Sequence, residues 1–202
     1  MWNAPNGAFW NSPTKTADYI ALAKATGEAL RKAGLTRRDA LSRVPLLPEA
    51  PATTEPSAPS EESGTRGSAS LRGEAFIGPA TSTIDLPFLE ACFQAGLLDY
   101  WDAVSVHPYR QTAPETVEEE YRSVRLLIRR YAPAGKDIPI ISGEWGYSTQ
   151  YPAFAGKDAA ARDKRQAKWL ARQFLTNLAT LPKPGFVDFP FLPRTAIKSA
   201  FP

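Results

Sequence analysis

Three short apolar runs, each breaking into polar and aromatic residues at its end, constrain this chain more than any other feature. They are Glu74–Thr81 (EAFIGPAT), Ala103–Val106 running into His107-Pro108-Tyr109-Arg110, and Ile138–Ser142 running into Gly143-Glu144-Trp145. Segments of helical periodicity lie between them. Nearly all-apolar strands alternating with amphipathic helices specify a parallel sheet covered by helices. In such sheets the groups that do chemistry gather at the C-terminal ends of the strands. An open doubly wound sheet and a (β/α)8 barrel both obey that rule. No G-x-G-x-x-G or G-x-x-x-x-G-K-[ST] follows a strand, which removes the main support for a nucleotide-binding fold.

The helices are legible from spacing. Residues 16–34 place Ile20, Ala23, Gly27 and Leu30 on one face, with Gly34 as the stop. A short helix over 87–95 ends before Gly96. The most regular one carries Val117, Tyr121, Val124, Ile128 and Tyr131. Thr112 and Glu115 suggest a capping box for it, acids fill its first turn, and arginines fill its last. A further helix over 159–179 is expected to turn Ala167, Leu170, Phe174 and Leu178 inward. The opening Trp2-Asn3-Ala4-Pro5-Asn6-Gly7 reads as a strand end becoming a loop.

Two stretches break the pattern. Residues 36–73 carry Pro45, Pro48, Pro51, Pro56 and Pro59 among Ser, Thr, Glu, Ala and Gly, without periodicity. Such a stretch buries too little apolar surface to offset its ordering entropy, so it is expected to be a disordered insertion. Residues 182–202, rich in proline, are expected to be an irregular tail with no clear strand beyond Phe186–Phe189. The organisation is therefore a strand end and helix over 1–35, the insertion over 36–73, βα units over 74–181, and the tail.

Composition narrows the function classes. Over 202 residues, 24 basic side chains interleave with 21 acidic ones for a net charge of +3, and no basic block suggests nucleic acid. Cys92 is alone, so neither a disulfide framework nor a cysteine metal site is expected. His107 is the one histidine, which argues against a histidine-rich metal centre. No apolar run approaches a membrane span, and no charged leader with an apolar core opens the sequence. Neither a cofactor nor a metal is expected, and no compartment is assigned.

The candidate site follows from the strand ends. Glu144, between Gly143 and Trp145, is a charge at the tip of an apolar strand, where it is costly unless used or paired; the bland reading is a solvent-facing loop carboxylate. His107 and Tyr109 end the neighbouring strand. His107 alone would read as a satisfied core imidazole, but two strands delivering His, Tyr and Glu to one face read as a site. Trp145, Tyr147, Trp10 and Tyr151 lie near the same ends, where aromatic faces suit sugar rings or simply pack the core.

Those residues carry a resemblance. WNAPNGAFW, IGPAT, VSVHPYR and ISGEWGYS, in this order, resemble the later strands of clan A glycoside hydrolases, the cellulase and β-xylosidase type of (β/α)8 barrel. The likeness covers Trp2 to about Leu35 and Glu74 to about Ala179. It implies a partial TIM barrel, about strands four to seven with their helices, preceded in the family by three further βα units. It implies hydrolysis of O-glycosidic bonds in a β-linked polysaccharide or oligosaccharide with retention. Members of that family are often secreted. Glu144 matches the nucleophile, Asn3 the residue that binds the sugar beside the acid/base, and His107 and Tyr109 the sixth-strand pair; Trp145 would join them in substrate binding. Ala4 stands where the family has its acid/base Glu.

A retaining glycosidase needs two carboxyls about 5–5.5 Å apart. The resemblance therefore implies that Ala4 and Glu144 face one another with Cβ atoms within about 10 Å, and that Tyr109 reaches the Glu144 carboxylate. It also implies impaired activity, because Ala4 cannot transfer a proton and half the barrel would be lacking. Unpaired terminal strands of such a half barrel invite self-association. Two other readings stand beside it: a non-catalytic carbohydrate-binding remnant, and a different α/β protein whose strand ends imitate the motifs.

Overall fold

A computed structural model describes residues 3–8, 10, 12–35, 75–156 and 158–181. The expected insertion and tail, including Phe186–Phe189, lie outside the described residues. Within them the chain is mixed α/β. Strands β1 (Ile77–Thr81), β2 (Ala103–Val106) and β3 (Ile140–Ser142) form one parallel sheet in the order β1-β2-β3. Helices α1 (Lys15–Lys32), α2 (Leu86–Gln94), α3 (Val117–Tyr131) and α4 (Ala159–Thr180) alternate with them. β3 is two residues shorter than expected at its start. Pro139 lacks an N–H for a ladder, although Ile138 is buried all the same.

Side chains cap two of the helices, α2 and α4. Asp85 caps α2 by accepting from the Phe88 N–H at 3.1 Å. Gly96 ends that helix at φ +81°, a left-handed position that suits glycine. Asp158 caps α4 through the Ala161 N–H at 2.8 Å. The expected Thr112/Glu115 capping box does not form. A single 3-10 turn over Pro114–Thr116 leads into α3 instead, and no side chain caps that helix. Glu115 is drawn away to a two-point ion pair with Arg172 of α4. The dipole-matching charges remain: Glu118, Glu119 and Glu120 in the first turn, Arg129 and Arg130 in the last.

The main core sits between the sheet and helices α1, α2 and α3. Leu89, Phe93, Leu97, Leu98, Trp101, Val104, Val106, Tyr121 and Val124 are buried there. The expected α1 face is present through Ala23 and Gly27, with Tyr19 fully buried beside them and Ile20 and Leu30 partly covered.

α4 departs from expectation. Ala167, Phe174 and Leu178 are exposed, Leu178 at 69%, and Leu170 is half-buried. Trp169, Gln173, Thr176 and Asn177 face inward instead. Hydrogen bonds set this register. Asn177 Oδ1 accepts from the Tyr121 hydroxyl at 3.0 Å and from Gln173 Nε2 at 2.8 Å, and Asn177 Nδ2 donates to Ser142 Oγ at 3.1 Å. The Tyr147 hydroxyl donates to Gln173 Oε1 at 3.2 Å. A buried polar network of this kind ties α3, β3 and α4 together, and breaking it would strand polar groups out of water.

Candidate active site

Glu144 follows β3 by two residues and stands half-exposed, its side chain 36% accessible. The Asn3 amide donates to Glu144 Oε1 at 3.2 Å, across 141 residues of sequence. The Tyr109 hydroxyl donates to Glu144 Oε2 at 3.3 Å. His107 Nδ1 lies 3.7 Å from the same oxygen. That is too far for a hydrogen bond but close enough to feel the charge. His107 and Tyr109 follow β2 and Glu144 follows β3, and Asn3 reaches them from the N-terminal segment, so the four residues meet at the C-terminal end of the sheet.

Backbone contacts hold the pieces in place. The His107 N–H donates to Thr81 O and the Gly143 N–H to Val106 O, both at 2.9 Å, so the three strand tips continue to pair beyond the regular sheet. The Ala4 N–H donates to Ala80 O at 2.9 Å, docking the N-terminal segment against the end of β1. Ala4 itself is 4% exposed and adopts φ +49°, with its carbonyl accepting from the Gly7 N–H. It presents only a methyl beside Asn3, so among these residues Glu144 is the one carboxylate. Asn6 fixes the next step: its Oδ1 accepts from the Ser82 N–H at 2.8 Å and its Nδ2 donates to Asp85 Oδ2 at 3.1 Å.

Two supports were not foreseen from the sequence. Arg110 clamps the His107–Tyr109 loop to α3 through a bidentate pair with Glu120, at 3.2 and 2.9 Å, and its Nε donates to Pro108 O. Its side chain is only 6% accessible. The signal was a strand-end arginine ten residues before a glutamate in the first turn of a helix. Gly143 is the second. A Cβ there would lie 2.7 Å from Ser105 Oγ and 3.2–3.3 Å from the His107 ring, so any larger residue would have to displace one of them to keep Glu144 beside His107.

Electrostatics suit these roles. Burial first, and then the nearby Glu144 charge, push the Tyr109 hydroxyl up to about 12, so it remains a proton donor at neutral pH. Burial lowers the His107 pKa, with Glu144 pulling the other way, and the imidazole is held mainly neutral.

The aromatics divide. Trp145 is 1% exposed, edge-on to Phe174 at 4.9 Å, and so presents almost no surface for a ligand. Tyr147 is buried with Phe154 and Trp169 in a second small cluster, and Tyr151 packs half-buried against it. Trp10 packs edge-on to Tyr19 at 6.4 Å. Among the described residues no group of three or more His, Cys, Asp or Glu is placed to hold a metal, and no helix is long and apolar enough to cross a membrane. Comparison with protein-family models, with curated proteins and with solved structures finds no match for this chain.

Proposed function

We propose that this chain carries the nucleophile side of a retaining O-glycosidase site, built on about strands four to seven of a (β/α)8 barrel, and acts on β-linked oligosaccharides. The observation that carries the reading is the convergence of Asn3 and Tyr109 on the two oxygens of Glu144. In this reading a Glu144 oxygen attacks the anomeric carbon while Tyr109 and Asn3 hold the carboxylate in line. The C1–O bond to the leaving group breaks, and its electron pair departs with that oxygen.

Ala4 decides which leaving groups can depart. General acid/base help contributes typically about 10²–10⁴-fold, and a methyl group supplies none of it. An alkoxide leaving group needs that proton; a dinitrophenolate does not. The chain should therefore be near-inert on natural glycosides yet open to glycosylation by activated ones. Denatured-protein mass spectrometry after incubation with 2,4-dinitrophenyl 2-deoxy-2-fluoro glycosides of glucose, xylose, cellobiose and xylobiose tests this. One panel member should leave a glycosyl adduct on Glu144, absent from Glu144→Gln. No adduct from any of them, in a folded protein, would remove the catalytic role.

The absent acid also favours a second reading, a carbohydrate-binding domain without turnover. Calorimetric binding of xylo- or cello-oligosaccharides combined with no adduct would select it.

A further inference from the structure

A recess of about 260 Å³ opens where the loop after the N-terminal segment meets the starts of α1 and α2. Its walls are Asn6, Lys15, Thr16 and Asp85, and its floor includes Phe88 and Ala91. We propose that this recess is a second sugar-binding subsite, separate from the Glu144 carboxylate and serving the same carbohydrate ligand; the inference rests on the glycosidase reading given above.

The argument starts from unused hydrogen-bonding capacity. Lys15 Nζ gives one proton to Gly7 O at 3.2 Å. An ammonium carries three, so two remain. Asp85 offers about four lone-pair sites and accepts from Asn6 Nδ2 and the Phe88 N–H. One Asn6 amide proton remains after its bond to Asp85, and the half-buried Thr16 hydroxyl can both donate and accept. The recess thus mixes donors and acceptors around a partly apolar floor. A ring hydroxyl, which donates and accepts at once, fits such a mixture. An anion does not: the Asp85 carboxylate would repel it and leave the acceptors unmet.

Position links the recess to the reacting site. Asn3 is bonded to Glu144, and Asn6 lies on the recess wall. Three residues of chain span at most roughly 11 Å between Cα atoms, so the two sites are near neighbours. Both are tied to the same end of β1, Asn6 through the Ser82 N–H and the intervening Ala4 through Ala80 O.

The test is backbone-amide NMR of the full chain, titrated with cellotetraose, xylotetraose and their monosaccharide methyl glycosides, and separately with inorganic phosphate. An oligosaccharide should shift the amides of Asn6, Lys15 and Ala91 together with those around Glu144. Thr16→Val and Ala91→Met, which remove a hydroxyl and fill the floor, should weaken tetrasaccharide binding about tenfold while leaving the Glu144-side shifts from methyl glycosides unchanged. Shifts confined to Glu144 and its neighbours would overturn the subsite and spare the glycosidase reading. No sugar response anywhere would remove both. Phosphate shifting the recess amides where sugars do not would replace the subsite with an anion site.

Discussion

Gly143→Ala tests the account of how β3 presents Glu144. The added Cβ would sit 2.7 Å from Ser105 Oγ. That is about 0.8 Å inside the shortest favourable carbon contact. It would also press on His107 at 3.2–3.3 Å. Ser105 and His107 are 6% and 4% exposed, so neither has room to retreat. Overpacking of this kind costs about 1–3 kcal/mol. Losing glycine's freedom in the unfolded chain returns about 0.4–1 kcal/mol. The net loss should be about 0–2.6 kcal/mol by urea unfolding.

A double-mutant cycle separates the clash from a general effect. Ser105→Ala removes the oxygen that the new Cβ meets, so Gly143→Ala should cost about 1 kcal/mol less in that background, within the range seen for contacting pairs. The His107 ring resonances should move in Gly143→Ala and move back partway in the double variant. Equal costs in both backgrounds, or a stabilised single variant, would refute the packing argument.

Two further outcomes follow from the same geometry. His107 is the chain's one histidine, and its folded-state pKa lies below the unfolded value of about 6.5. The unfolded state therefore binds the proton more readily, the stability contributed by neutral His107 is fully present above about pH 6.5, and it is lost as pH falls from there through the folded pKa. Urea midpoints taken every half unit downward from pH 7.5 should show that decline in the wild type and a flatter profile from 7 to 5.5 in His107→Asn; parallel profiles would contradict it. In the buried network, Asn177 Oδ1 accepts from both Tyr121 and Gln173. Tyr121→Phe leaves the second bond in place and should cost about 0.5–1.5 kcal/mol. Asn177→Leu withdraws a partner from Tyr121, Gln173 and Ser142 at once. It should cost about 3 kcal/mol or more. Equal costs for the two would mean that the network is not organised around Asn177.

The strands were legible because their signals are short and local. Ala103–Val106 is a nearly continuous apolar run, buried throughout, that needs no knowledge of the partner strand, and the polar residues from His107 onward mark where the strand ends. Glu144 stood out because a carboxylate at the tip of an apolar run needs a partner, and Asn3, 141 residues away, supplies one. The partner residue was suggested by family likeness, since no local pattern links positions so far apart.

What could not be read was decided by pairing between elements. α4 has two candidate inward faces. Ala167, Leu170, Phe174 and Leu178 make the more apolar one, and hydrophobic periodicity selects it. The chain buries the other face, because Gln173 and Asn177 meet Tyr147, Tyr121 and Ser142, which already project into the same space from the loop after β3, α3 and β3. Turning the helix to bury Phe174 and Leu178 would gain about 1.5–3 kcal/mol for each side chain fully covered. It would also leave the buried partners of Gln173 and Asn177 unmet, at about 1–3 kcal/mol each. With at least three such partners the second sum reaches or exceeds the first, so the polar face turns inward. The same hydrogen bonds fix Ser142 two residues before Glu144, so the register of α4 and the placement of the candidate nucleophile are one structural decision.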